Sequence, residues 1–405
     1  MGGHIKDLYR AGHFGSLLSA LVHFTVSTSV WVLIGALGIY IAEDFGLSST
    51  EQGLIIALPI LIGSLLRLPV GVAADWIGPK KTGTIGLAFT LVPLLGGWLG
   101  GESFGALLLV GILLGVAGTS FVVTLPLVSR WYPARYQGLV MGIVGSGNCG
   151  TVIAALAAPR LASWLGWHAV FGLAIIPVVV ALAIFCLCAK EQPRQPAHQR
   201  RANYLKVLTQ ADTWRFSLFY LVTFGGFVGL ASFLAVFFYD QYGVAKVMAG
   251  NLTALCVVGG SVLRPVGGLL ADRRGGIKVL MAVFGIVAGA MFLTSQLPPL
   301  TWAIAWLFIG ACALGIGNGA VFQLVPRRFG KDIGAVTGIV GAVGGVGGFF
   351  LPFLFGLAKD FTGYYGAGFG FLALAALVSL IVLVGVQGNW QRDWATASMR
   401  GVEPS

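Results

Sequence analysis

Gly63-Ser-Leu-Leu-Arg67, with Pro69-Val-Gly71 behind it and Asp75 eight residues past the arginine, returns late in the chain as Gly260-Ser-Val-Leu-Arg264, with Pro265-Val-Gly267 and Asp272. In both copies the arginine interrupts a long apolar run, and the aspartate marks where that run ends. A charge in the middle of an apolar helix is costly, so its double occurrence in one setting marks a duplicated unit with a purpose. Two further echoes keep the same order. Gly142-Ile-Val-Gly145 recurs as Gly338-Ile-Val-Gly341, and Gly115 and Pro126 recur as Gly315 and Pro326.

Outward from these motifs, apolar runs fall at roughly 15–41, 52–74, 82–99, 105–128, 138–159, 168–189, 214–238, 247–270, 279–297, 300–325, 333–357 and 366–388. Each approaches the ~20 residues that a helix needs to cross a ~30 Å hydrocarbon core. Composition agrees. The 405 residues are 57% hydrophobic and 10% charged, whereas soluble domains carry ~25% charge. The expectation is therefore an all-α membrane protein of twelve transmembrane helices in two pseudo-symmetric six-helix halves. The boundaries are 1–189 for the first half, 190–213 for a basic cytoplasmic linker, and 214–405 for the second half. The stretch from Tyr204 to Leu208 reads equally as a surface helix or a tether. The abundant glycines, 61 in all, suit close helix packing in lipid.

Net charge is +11, but the bases cluster in short connectors, which argues against nucleic acid. Twenty of the 25 lysines and arginines lie on one set of connectors, Arg160, Lys246 and Lys359 on the other, and Arg67 and Arg264 in neither. The positive-inside rule then puts both termini in the cytoplasm. The first run is too long for a cleavable signal and no small-residue site follows it. All five cysteines sit in apolar runs and read as free thiols. No phosphate loop, metal motif or catalytic cluster is present, so the chain reads as neither an enzyme nor a nucleotide-driven pump, with no cofactor.

Arg67 and Arg264 carry the chemistry. Each lies about 12 Å along its helix from the aspartate at the helix end, too deep for easy snorkelling, and each costs at least ~2.5–3.5 kcal/mol to insert. All 14 acids lie at span ends or in loops, so no carboxylate is offered at that depth. A bound anion is the simplest counter-charge, and a guanidinium fork suits a planar oxyanion. Asn148, an amide in mid-span, is a further donor, and Asn318 is a similar candidate. His23 reads either as a proton carrier or as a bond to a neighbouring helix.

The chain resembles the major facilitator superfamily over nearly its whole length. Gly71-Val-Ala-Ala-Asp75-Trp-Ile-Gly-Pro-Lys-Lys81 looks like that superfamily's loop between its second and third helices, and Gly267-Gly-Leu-Leu-Ala-Asp272-Arg-Arg-Gly-Gly is a weaker copy. In this motif the aspartate caps a helix end and pairs with a base across the loop, so Asp75 and Asp272 gate or brace. Gly142 to Pro159 and Gly338 to Pro352 are similar to the glycine-rich segments of the nitrate/nitrite porter family. Gly145, Gly147, Gly344 and Gly347 fall in them and read as packing glycines.

That resemblance implies nitrate and nitrite as cargo, with Arg67 and Arg264 as anion ligands. It implies that Tyr220 donates its hydroxyl, and that Phe224 and Phe121 clamp the planar face; core packing is the plainer reading of both rings. It implies a monomer in the inner membrane. Exchange of one anion for another is favoured over proton symport, since no acid lies in a span. A facilitator of another small anion, an anion channel and a transporter-like sensor are the alternatives.

Overall fold

The computed structural model describes residues 11–191, 207–329 and 333–399. Among them are twelve helices long and apolar enough to cross a membrane. They are α1 (Phe14–Phe45), α2 (Ser49–Ile77), α3 (Pro79–Leu99), α4 (Phe104–Ser129), α5 (Val140–Leu165) and α6 (Trp167–Cys188). After the connecting stretch come α7 (Ala211–Tyr242), α8 (Lys246–Arg274), α9 (Gly276–Ser295), α10 (Leu300–Val325), α11 (Val336–Thr362) and α12 (Gly366–Trp390). No strand occurs among the described residues. Most of the Tyr204–Leu208 stretch lies outside them. Helix α7 starts at Ala211, so its first turn falls within the segment expected to be linker.

Local chemistry fixes the helix ends. Ser48 and Glu51 form a reciprocal capping box at the start of α2. Gly78 (φ 96°) and Gly275 (φ 89°) occupy equivalent positions in the two motif loops. A positive φ strains any residue with a Cβ, so the tight α2–α3 and α8–α9 turns require glycine there. The repeat extends to packing. A Cβ on Gly63 would lie 2.7 Å from the Gly115 carbonyl, where α2 crosses α4. In the second half a Cβ on Gly315 would collide with the Gly260 carbonyl, where α10 crosses α8.

Helix α7 lies at the centre, with 94% of its apolar window buried, whereas α6 and α12, at 28% and 33%, face outward. Between the halves, α2 packs along α11, and α5 along α8. At the end remote from the chain termini these pairs are clasped shut. Glu43 of α1 pairs with Lys246 of α8 and accepts from the Tyr239 hydroxyl of α7 at 2.7 Å. Asp360 of α11 accepts from the Ser49 and Thr50 amides of α2 at 3.2 and 2.7 Å. Arg160 Nη2 of α5 donates to Asn251 Oδ1 of α8 at 2.6 Å.

The opposite end differs. Among the described residues, polar contacts there stay within a half: Arg130 to Asp75 at 3.2 Å, and Gln323 to Asp272 at 2.9 Å. Asp272 was expected to meet a base, but it meets an amide. Arg328, three residues past the end of α10, is engaged by Asp212. The fold is therefore closed at one end, and among the described residues no polar contact joins the halves at the other.

Candidate functional site

Helix irregularities converge at mid-depth. Helix α4 tightens to 3-10 geometry at Gly115–Thr119 and α5 at Ser146–Cys149, while α7 widens to a π-turn at Leu221–Gly225. Such departures recur at functional positions because they re-aim side chains and loosen the carbonyl ladder. Here the π-turn follows Tyr220 and carries Phe224. The two rings stack at 4.9 Å with only 3° between their planes. Gly225, at the end of that turn, lets α11 approach: an added Cβ would lie 2.7 Å from the Gly347 carbonyl carbon.

Arg67 and Arg264 are both buried, at 2% and 8% exposure. Their surroundings differ. Arg67 Nε donates to the Gly118 carbonyl at 3.3 Å and Nη1 to the Gly341 carbonyl at 2.7 Å. The second bond crosses from one half to the other. Arg264 Nη2 donates to the Tyr220 hydroxyl at 3.2 Å, and its Nη1 is buried without a partner. A guanidinium only donates, so Tyr220 must accept in this bond. The hydroxyl hydrogen is left to point elsewhere. Neither arginine forms an ion pair among the described residues.

Phe121 and Phe224 each lie against both guanidiniums. Phe224 is 4.9 Å from the Arg67 carbon and 5.9 Å from that of Arg264, and Phe121 is 5.9 and 5.3 Å away. The ring faces offer their quadrupole to the cations but no compensating negative charge. An anion entering this shell would meet two fixed cations, a free N–H and a free O–H.

The other sequence candidates are placed as follows. Asn148 is buried in the 3-10 stretch of α5, and among the described residues its amide makes no hydrogen bond. Gly145, one turn earlier, is open toward Arg264, with a would-be Cβ 3.9 Å from Nε. Gly147 abuts Phe24, Gly344 abuts the Tyr220 ring and Gly347 abuts Leu221, so these three brace. Asn318 is buried with Oδ1 unpartnered. His23 meets the Gly83 carbonyl of α3 at 3.3 Å and the Phe185 ring at 4.7 Å, the neighbour-helix role. Three contributors were not read from sequence. Trp31 lies 5.4 Å from the Arg67 carbon, Phe322 packs edge-on against Tyr220 at 4.8 Å, and the carbonyls of Gly118 and Gly341 hold Arg67.

Residues 19–352 match the Major Facilitator Superfamily. The chain is 33% identical over 373 residues to a nitrite extrusion protein of Bacillus subtilis, covering 92% of this chain and 93% of the relative. It is 33% identical over 390 residues to a probable nitrate/nitrite antiporter, NarK1, of Thermus thermophilus, covering 88% of each. A probable nitrate transporter, NarT, of Staphylococcus epidermidis is 34% identical over 357 residues, with 87% and 91% covered. Among solved structures, a bacterial homologue of the human lysosomal transporter Spinster, inward-facing and occupied, matches with a TM-score of 0.66 at 21% identity, covering 93% of this chain and 96% of that one. That likeness concerns the fold.

Proposed function

The chain belongs to the Major Facilitator Superfamily, and within it to the nitrate/nitrite transporter family; from that premise we propose that it carries nitrate and nitrite across the cytoplasmic membrane by exchange. The observation that carries this reading is the pair of buried arginines with no described carboxylate beside them. Arg264 keeps an unpartnered N–H, and Tyr220 keeps a hydroxyl hydrogen to give. Nitrate is planar, carries one charge and has three oxygens to accept from such donors.

In this reading residues 1–189 and 214–405 are the two rocking halves, a monomer suffices, and the termini are cytoplasmic. The clasped end then faces outward and the unclasped end inward. Switching requires the Glu43–Lys246 and Asp360–Thr50 contacts to part, together with the Arg67–Gly341 bond. Without an anion, two buried positive charges repel in a low dielectric. Loaded, the pair is partly neutralised and the halves can reorganise. Proton symport would need a titratable group at the cargo. No acid lies there among the described residues, and His23 is bonded to α3 rather than to either arginine.

Purified protein in liposomes tests the mode. Labelled nitrate should enter rapidly only when nitrate or nitrite is trapped inside, with little response to an imposed pH gradient. Strong uptake into anion-free liposomes, driven by inward protons and lost in His23→Ala, would replace exchange with symport. The donor shell has its own check. Tyr220→Phe and Asn148→Ala should each weaken nitrate binding about tenfold, since a hydrogen bond to a charged group contributes ~1.5–3 kcal/mol. Unchanged isotherms in both variants would remove α5 and α7 from the site.

A further inference from the structure

The second half carries a cavity of about 510 Å³ on the flank formed by α8, α9 and α10. Its walls are apolar, built from side chains such as Leu270, Ile286, Phe308 and Ile316, and Arg274 and Lys278 stand at one end. Ile286 and Phe308 are 46% and 37% exposed, so the walls open outward, away from the arginine site. Arg274 ends α8 and Lys278 lies in the first turn of α9. Both are exposed, and among the described residues neither makes an ion pair.

We propose that this flank binds one phospholipid with an anionic headgroup. The apolar lining runs from Lys278 to Ile286 along α9 and from Ile316 to Phe308 along α10, about 12 Å in each case. One leaflet of the hydrocarbon core is about 15 Å deep, so the groove takes most of an acyl chain. The cations stand at the helix ends, where headgroups lie. Two bases without partners favour a headgroup of net negative charge, because a choline or ethanolamine group brings a cation of its own. Asp272, two residues before Arg274, accepts from the Gln323 amide rather than from either base. A soluble anion would leave the apolar walls unfilled.

The equivalent corner of the first half is built differently. Ile77 stands at the position of Arg274, and the Glu191 carboxylate sits over Gly78 and accepts from the Lys80 amide at 2.8 Å. Lys81 keeps the base at the position of Lys278, so that corner carries one base fewer than the second half and one acid more, and its pull on an anionic headgroup is weaker. Charge therefore favours the second repeat over the first.

The test is native mass spectrometry of the protein released from nanodiscs of equal phosphatidylglycerol and phosphatidylethanolamine. The wild type should retain one phosphatidylglycerol in preference to phosphatidylethanolamine. The double variant Arg274→Gln/Lys278→Gln should retain it about thirtyfold less, given the attraction of two bases to an anionic surface. Arg273→Gln removes one charge from the same loop but none from the cavity lining, and should change retention less than threefold. Ala282→Trp fills the cavity without changing charge and should also displace the lipid. Wild-type retention in the double variant, or equal loss in Arg273→Gln, would overturn the site. So would a second copy of the chain, seen as a dimer, in place of the lipid.

Discussion

Replacing Arg67 or Arg264 by alanine should lower nitrate exchange by at least ~100-fold while the protein still reaches the membrane and melts cooperatively. Each guanidinium has two or more donors to offer an oxyanion, and hydrogen bonds to a charged partner contribute ~1.5–3 kcal/mol each. Lysine should fail nearly as badly. An ammonium lacks the planar fork and is more strongly hydrated. At Arg67 the fork also spans two helices, from the Gly118 carbonyl on α4 to the Gly341 carbonyl on α11. One ammonium cannot hold both in that geometry and still face an anion. The measurement is counterflow of labelled nitrate in proteoliposomes, normalised to inserted protein. Near-normal exchange by both lysine variants would sink the binding role.

Asp212→Ala should be the most destabilising change away from the anion site. Asp212 is 8% exposed and accepts from Arg215 Nη1 at 2.6 Å, Arg328 Nε at 2.5 Å and Trp390 Nε1 at 3.2 Å. Trp390 in turn stacks on Phe216 at 5.1 Å. One carboxylate thus ties the termini-side ends of α7, α10 and α12. Exposed pairs contribute ~1 kcal/mol or less, and breaking a buried pair costs ~3–5 kcal/mol. The arginines here are partly exposed, so a loss of about 2–4 kcal/mol is expected. Asp212→Asn should lose less, because its amide oxygen still accepts from the indole. Thermal melts in detergent followed by tryptophan fluorescence report this, with nitrate affinity of the folded protein unchanged. A wild-type melting curve for Asp212→Ala would show the clasp to be idle.

The twelve spans were legible because bilayer thickness dictates their length, and the repeat was legible because an arginine in an apolar run is rare. Asp75 meeting Arg130 also followed from its motif. What escaped has physical causes. The carbonyls that receive Arg67 have no letter of their own, since every residue carries one. Trp31 and Phe322 look like ordinary packing in a chain that is 12% aromatic. Asp212 read as a loop acid because α7 starts earlier than its apolar run does. Asp272 meets Gln323, an amide that the motif does not mark. No pattern along the chain foretold that the two equivalent arginines would be held so differently.

That difference bears on how each arginine tolerates mutational drift. The Arg67 acceptors are main-chain atoms, and substitution at residue 118 or 341 leaves an oxygen in place. At residue 118 only bulk is screened, since a Cβ there would lie 2.5 Å from the Trp31 ring; at residue 341 a Cβ meets nothing within 4 Å. Arg264 leans on a single side-chain oxygen, which one base change in the Tyr220 codon can delete. Arg67 is thus held by main-chain oxygens from both halves, a scaffold that inheritance cannot easily remove. The second half holds its cation by a replaceable part, and there a lineage can most readily retune which anion it accepts.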